Sequence, residues 1–395
     1  MTVRGAGGVG HRAAIVGAGH TRFGAVPEGP RALLRSAAEA AIASVDRGLD
    51  RKAIGRGYLA TLGFGGWQIG NASAILAEEL RTPGLATVRI ENACASGGFA
   101  VQEAVTAVAH GGIDLALVVG LEKMTDVSSA RRRYWLGVSG DTEWERSAGL
   151  TFAGVYGLIA SRYFAEHGDA SEALVEVATK NHENGSLNPN AHFQKRVSRD
   201  DVRAAPRVAR PLGLFDCCPV SDGAAALLLA PAELAHRYTD TPVFLDGTGA
   251  GTDFLAVQER RELTRFRATQ HAAHEAFRSA GWHRSEVSFL EVHDCFTIAE
   301  LLALEDLGFA SPGEAPALTL SGATRRDGRL PVNPDGGLKA KGHPIGATGV
   351  SQAYEVFLQL RGQAGARQVA HAEHALTHNV GGAGATAAVT LFSVG

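Results

Sequence analysis

Short apolar runs that stop at glycine alternate with longer Ala-rich and amphipathic runs along this chain, and no other feature limits its possible folds as much. Residues 13–17 read as a buried strand and 30–45 as an Ala-rich helix. Residues 87–90 read as a short strand. A helix follows at 99–109, with Phe99, Val101, Val105 and Val108 near one face, then a continuous apolar strand at 115–119 between Gly112 and Gly120. Strand and helix taken in turn predict an α/β fold, with helices covering the sheet.

The texture changes between 125 and 215, which is richer in Arg, Asn, His and Asp and includes Arg131-Arg-Arg-Tyr-Trp135. Helices are expected there around 156–167 and 173–181, and the stretch reads as an inserted subdomain or cap. Strand character returns at 224–229. A second α/β unit begins near 243–245, with a helix at 271–280, a strand at 287–292, a helix at 298–307, a Gly-rich loop at 336–349 leading into a helix at 350–360, and a last strand at 387–392. Each half thus carries a loop with reactive residues that feeds a helix and then a strand. Two similar halves are predicted, although no clean repeat is visible.

Bulk composition narrows the function. Of 395 residues, 45% are hydrophobic and 20% charged, as in an ordinary globular enzyme. A net charge of −3 gives no general attraction to nucleic acid. No apolar run is long enough to span a bilayer, and the N-terminal residues lack the pattern of a secretory signal. The four cysteines (Cys94, Cys217, Cys218 and Cys295) form no C-x-x-C pair, so neither a zinc site nor a disulfide scaffold is expected; a reduced, cytoplasmic setting fits.

Four loops carry candidate chemistry. Cys94 lies between a strand and a helix that opens on Ser96, Gly97 and Gly98. A cysteine at a helix N-terminus meets free N–H groups and the positive end of the dipole, so a thiolate of lowered pKa is expected, the form that attacks a thioester carbonyl. A buried core cysteine is the plainer reading for an isolated Cys; the strand–Cys–Gly-Gly–helix context favours the reactive one. His343 sits in Gly342-His-Pro-Ile-Gly346, where glycines and a proline fix the turn. His293-Asp-Cys-Phe296 ends a strand, where sites in α/β folds are built. Asn379-Val-Gly-Gly-Ala-Gly384 reads either as a loop offering backbone N–H donors to an oxyanion or as an ordinary Gly-rich hairpin. Three weaker signals are set aside: Gly17-Ala-Gly19, which lacks the later glycine of a dinucleotide loop because Arg22 stands there; the cluster His371, His374, His378; and the vicinal pair Cys217–Cys218.

With these loops in this order, the chain resembles the thiolase superfamily, most closely the sterol carrier protein type of 3-oxoacyl-CoA thiolase without the sterol carrier domain. The resemblance runs through Asn92-Ala-Cys-Ala-Ser-Gly97, Gly120-Leu-Glu-Lys-Met124, Asn188-Pro-Asn-Ala-His-Phe-Gln194, Cys217-Cys-Pro-Val-Ser-Asp-Gly-Ala-Ala225, His293-Asp-Cys-Phe296, the Gly336–Gly349 loop and His378-Asn-Val-Gly381. It implies two βαβαβαββ halves in a five-layer α-β-α-β-α sandwich with an inserted loop domain. The units would be 11–124 plus 217–235, 125–216, and 242–395.

The resemblance also implies roles. Cys94 is the acylated nucleophile, His343 takes its proton, and His293 holds an enolate oxygen. The last loop has Asn379 where many thiolases place an acid/base cysteine, so Cys295 takes that role. Backbone N–H groups of Cys94 and Gly381, near Asn379, form a second oxyanion hole. Arg131, Arg132 and Ser221 are candidate substrate contacts, within a pocket wall drawn from 131–152. The implied substrates are acyl-CoA and CoA, with no tightly bound cofactor and no metal. A homodimer or tetramer is implied, and a small zinc/OB-fold partner is an alternative. The reaction would be thiolysis or condensation of CoA thioesters in lipid and fatty acid metabolism, the rival being a decarboxylating, ketosynthase-like condensation.

Overall fold

The computed structural model describes residues 13–395; of the expected N-terminal unit, residues 11 and 12 lie outside that range. The first half runs β1 (Ala13–His20), α1 (Pro30–Ala43), β2 (Arg56–Ala60), α2 (Ala74–Glu79), β3 (Ala86–Ile90), α3 (Ser96–Ala109) and β4 (Ala116–Glu122). Then come α4 (Ser129–Gly137), α5 (Phe152–His167), α6 (Ser171–Gly185), α7 (Arg199–Ala204) and the small hairpin β5 (Arg207–Ala209) with β6 (Leu212–Gly213), before β7 (Gly223–Pro231) returns to the sheet. The second half runs β8 (Val243–Thr252), α8 (Arg267–Ala280), β9 (Phe289–Glu291), α9 (Thr297–Asp306), α10 (Ala315–Leu320), α11 (Gly337–Ala340), α12 (Thr348–Leu360), β10 (His374–Gly381) and β11 (Thr386–Val394).

The nine strands of the main sheet are hydrogen-bonded in the order β3-β2-β4-β7-β1-β8-β11-β10-β9. β2 is parallel to β3 and β4, and β7 is antiparallel to β4 and β1. In the second half β9 is parallel to β10, and β11 is antiparallel to β10 and β8. A single parallel bridge from Leu290 to Val332 stands where the first half has β3. The two halves therefore repeat one pattern, visible in strand order and not in residue identity. They join where β1 and β8 pair over only three residues, Ala13–Ile15 against Val243–Leu245.

Successive residues on a strand face opposite sides, and here both sides are covered, which is why the strands read as unbroken apolar runs. In the first half Leu117, Val119 and Leu228 pack under α1 and α2, while Val118, Leu227 and Leu229 pack on α3 and α12. In the second half Phe289, Ala375 and Phe392 face the same central helices, whereas Leu290, Leu376 and Leu391 meet α8 and α9. Five layers result: α1/α2, half the sheet, α3/α12, the other half, and α8/α9.

Glycine stripes set the helices this close. A Cβ on Gly17 or Gly19 of β1 would lie 2.6 or 2.2 Å from a carbonyl oxygen of α1, and Gly247, Gly249 and Gly251 of β8 are as tight against α8. The run resembling a dinucleotide loop is thus a packing seat. Some sequence expectations shift. α3 begins at Ser96, not 99, and Phe99 is only partly buried, with Ala104 completing the inward face. β2 was not foreseen. Two of the three clustered histidines lie on β10, where His374 packs on Trp282 and buried His378 meets the Thr269 hydroxyl at 2.9 Å. Among the described residues no helix is long and apolar enough to cross a membrane.

Candidate active site

The N-termini of the two central helices meet. A Cβ on Gly97 would come within 2.8 Å of the Gly349 nitrogen, and one on Gly349 within 2.2 Å of the Gly98 nitrogen, so only glycine permits this crossing. The loop before α3 carries Cys94 and the loop before α12 carries His343. Cys94 follows Ala93, which holds a left-handed φ of 50°. Ser96 pins this turn: its hydroxyl donates to the Ala93 carbonyl (2.6 Å) and accepts from the Asn92 N–H (2.9 Å).

His293, at the end of β9, completes the group. One ligand atom from each of Cys94, His293 and His343 lies within 4.8 Å of the others, and the two imidazoles meet edge to face at 5.1 Å between centroids. Their hydrogen bonds fix their tautomers. The Thr348 hydroxyl donates to the Pro344 carbonyl at 3.1 Å, so it accepts from His343 Nδ1 at 2.6 Å; the lone pair of His343 Nε2 is left for a proton. Asn379 accepts the Gly98 N–H at 3.0 Å, which fixes its amide orientation. Its NH₂ then donates to the Cys94 carbonyl (2.9 Å) and to His293 Nδ1 (3.2 Å). His293 therefore carries its hydrogen on Nε2, which is buried and has no partner in the protein. Asn379, expected beside an oxyanion, instead has both amide hydrogens committed to holding Cys94 and His293 in register.

Burial dominates the electrostatics. It pulls His343 down to about 3, with Lys341 adding to the effect, and His293 well below the ordinary histidine range, so both rings are neutral. It also pushes the Cys94 thiol up to about 12, with Cys218 next in effect, despite an N–H bond from Gly382 to the sulfur. The expected resting thiolate is thus replaced by a neutral thiol–imidazole pair, because desolvation outweighs the helix terminus. Alkylation of Cys94 by iodoacetamide should consequently climb about tenfold per pH unit between 7 and 9 without levelling off; a plateau below pH 8 would show a stabilised thiolate.

Cys295 is buried, and the hydroxyl of Tyr156 hydrogen-bonds its sulfur. Tyr156 in turn stacks on Phe296 at 4.5 Å and reaches the Gly382 carbonyl at 3.5 Å. Cys94, Cys295 and His343 line one cavity of about 340 Å³, whose walls are mostly apolar: Leu136, Leu150, Phe152, Val208 and Ile345 among them. The wall foreseen from 131–152 is there, but its arginines are in a different phase. Arg131 bonds the Gly65 carbonyl and lies over Trp67, and Arg132 meets Ser129; the cavity takes Arg133 and Arg146. Residues 133, 136 and 137 centre on a face of α4 that 131 points away from and 132 only borders. Ser221 is fully buried below the cavity, where its hydroxyl accepts the His343 N–H (3.2 Å) and meets His192 (2.9 Å). Gly381 is wedged so that a Cβ would lie 2.4 Å from the Asn92 carbonyl oxygen.

Two carboxylates brace the loops. Glu122 accepts N–H groups of Leu62, Phe64 and Gly346, tying the His343 loop to β4. Asp294 accepts those of Leu338 and Lys339 at the start of α11, tying His293 and Cys295 to that loop. The sequence analysis gave no role to Tyr156, Thr348 or Glu122, and it held Arg133 and Arg146 only as part of the 131–152 wall.

A thiol, a neutral imidazole with a free lone pair, an N–H donor and a second thiol on a largely apolar cavity are the groups that acyl transfer through a cysteine requires. Family models agree: "Thiolase, N-terminal domain" matches residues 13–233 and "Thiolase C-terminal domain-like" matches 249–394. An acetyl-CoA acetyltransferase of Methanothermobacter thermautotrophicus is 42% identical over 96% of this chain and 99% of that protein. Human sterol carrier protein 2 is 32% identical over 79% of this chain and 59% of its own length. The solved Ltp2-ChsH2(DUF35) aldolase superposes with a TM-score of 0.85 at 24% identity, covering 98% of each chain. The chain belongs to the thiolase family.

Proposed function

We propose that this protein is an acyl-CoA C-acyltransferase that works through an acyl thioester on Cys94. The observation that carries the reading is the convergence of Cys94, His293 and His343 within 4.8 Å, with Cys295 on the same cavity. In cleavage, Cys94 Sγ attacks the 3-keto carbon of a 3-oxoacyl-CoA as His343 Nε2 takes its proton. Backbone N–H groups of Cys94 and Gly381 receive the oxyanion. The bond between C2 and C3 then breaks, and the departing acyl-CoA enolate rests on His293 Nε2–H and the protonated His343. Cys295 returns a proton to its carbon. The CoA thiol then gives its proton to the Cys295 thiolate and attacks the acyl-Cys94 carbonyl, and the acyl–Sγ bond breaks as Cys94 takes back the proton held by His343. Condensation runs the same steps backward, with Cys295 removing the α-proton. An oxyanion donor of this kind supplies roughly 10²–10³ in rate.

Intact-mass measurement after incubation with a panel of acyl-CoAs tests this directly: an acyl adduct on Cys94 is expected, and none in a Cys94→Ser protein assayed with acetoacetyl-CoA and CoA. Retained thiolysis in that variant would sink the reading. The presence of Cys295 supports the non-decarboxylating reaction over a ketosynthase-like one, because decarboxylation makes the carbanion without a base; turnover with acetyl-CoA but not malonyl-CoA is the matching result. Tyr156→Phe keeps the stack on Phe296 and removes the bond to Cys295. Exchange of α-hydrogens should slow by about ten- to a hundredfold, the worth of one hydrogen bond to a charged group.

The reading extends to a cytoplasmic enzyme of CoA thioester metabolism, without a tightly bound cofactor, divided into 11–124 plus 217–235, the loop domain 125–216, and 242–395. A homodimer is part of it: β3 ends the sheet with one backbone edge unpaired and Val88 exposed, and Trp67 and Ile69 are exposed in the same half. Activity of the purified chain alone separates this from a subunit that needs a small OB-fold partner.

A further inference from the structure

Two cysteines that the proposed reaction leaves idle, Cys217 and Cys218, line the same cavity as Cys94 and Cys295. All four are free thiols. The segments 217–218 and 295–296 run antiparallel: Cys217 bridges Phe296, and the Cys218 N–H donates to the Cys295 carbonyl at 3.0 Å. Cys218 and Cys295 therefore stand directly opposite each other, with side chains on the same face. Residues paired in this way have Cα atoms about 5.5 Å apart, inside the roughly 4.4–6.8 Å span that a disulfide needs. Cys217, one residue earlier, faces the other way and pairs with Phe296.

We infer that Cys218 and Cys295 form a reversible dithiol site for a small-molecule disulfide, and that closing it switches the enzyme off. The steps balance. The Cys218 thiolate attacks one sulfur of R–S–S–R, forming a mixed disulfide and releasing one thiolate, which takes up the proton Cys218 lost. Cys295 then attacks Cys218 Sγ, and the second R–SH leaves with the Cys295 proton. Two protein thiols are oxidised and one disulfide is reduced to two thiols. The order follows from position. Cys218 is partly exposed to the cavity and Cys295 is buried. Burial and the facing Cys295 raise the Cys218 thiol with Lys339 opposing them, and burial raises Cys295 with Tyr156 opposing it, so access to the cavity and not charge sets the order. Because burial raises both thiols, exchange is slow at neutral pH and quickens as pH rises.

The loss of activity rests on Cys295 being the proton carrier; the cross-link itself does not. The test treats the full-length protein with glutathione disulfide at pH 8.5, blocks remaining thiols with N-ethylmaleimide and maps peptides by mass spectrometry. A Cys218–Cys295 cross-link should appear. α-Hydrogen exchange should fall at least tenfold, and dithiothreitol should restore it. Cys218→Ser, judged against its own untreated rate, should resist. A cross-link to Cys94 or Cys217, or equal inactivation of wild type and Cys218→Ser, overturns the proposal. A mapped Cys218–Cys295 link with exchange unchanged overturns the role given to Cys295 and leaves the dithiol site standing.

Discussion

A Cys94→Ala protein should lose thiolysis of acetoacetyl-CoA by about 10⁴-fold or more, as enzymes do when their nucleophile is removed, while folding normally. Alanine fits the turn because the strain sits on the neighbouring Ala93, and the bonds that hold the loop come from the backbone, Ser96 and Asn379. The Asn379 amide bonds the Cys94 carbonyl and not its sulfur, so truncating the side chain leaves that tie intact. Unchanged circular dichroism with no acyl adduct by mass is the expected pair of results. Residual turnover within about tenfold of wild type would mean that acyl transfer does not pass through this thiol.

The second large effect separates the two cysteines. Cys295→Ala should still accept an acyl group from acetyl-CoA onto Cys94, since Cys94, His343 and the backbone N–H groups are untouched. Exchange of the acetyl methyl hydrogens with deuterated water should fall by roughly 10²–10⁴, the usual worth of a positioned acid/base group. The cavity left by the missing sulfur is small, and Tyr156 keeps its stack on Phe296. Equal loss of both activities would place Cys295 in the nucleophile's own step; exchange at the wild-type rate would remove it from the chemistry.

Much of this was legible in the sequence. Glycine-bounded apolar runs marked the strands that are covered on both faces, and a chain with no obvious internal repeat still announced two halves. The loops carrying Cys94, His293, Cys295 and His343 stood out because each joins a strand or tight turn to a helix, and the structure brings all four to one place. What stayed hidden depends on the third dimension. β10 was not read as a strand because His378 and Asn379 interrupt its apolar pattern, yet both are buried and bonded. Tyr156 was read only as the start of a helix, since nothing local shows that its hydroxyl end reaches Cys295. Arg131 and Arg132 were chosen over Arg133 because helical phase relative to a cavity is not visible in a charge run. The direction of the Cys94 shift was misjudged because a helix terminus is a local feature, whereas desolvation is collective.

The crossing of α3 and α12 has a bearing on how such an enzyme can change. The loops of Cys94 and His343 are fixed to one another by glycine contacts inside the shared middle layer, within a core to which both halves contribute. Much of the cavity wall comes instead from the excursion between β4 and β7, which leaves the sheet and returns to it. Chemistry and selectivity are thus inherited on separate parts of the chain. The excursion can drift, lengthen or be exchanged, and the reacting atoms keep their distances. One frame is in this way free to serve many acyl groups over evolutionary time, because the part that judges the substrate is not the part that breaks the bond.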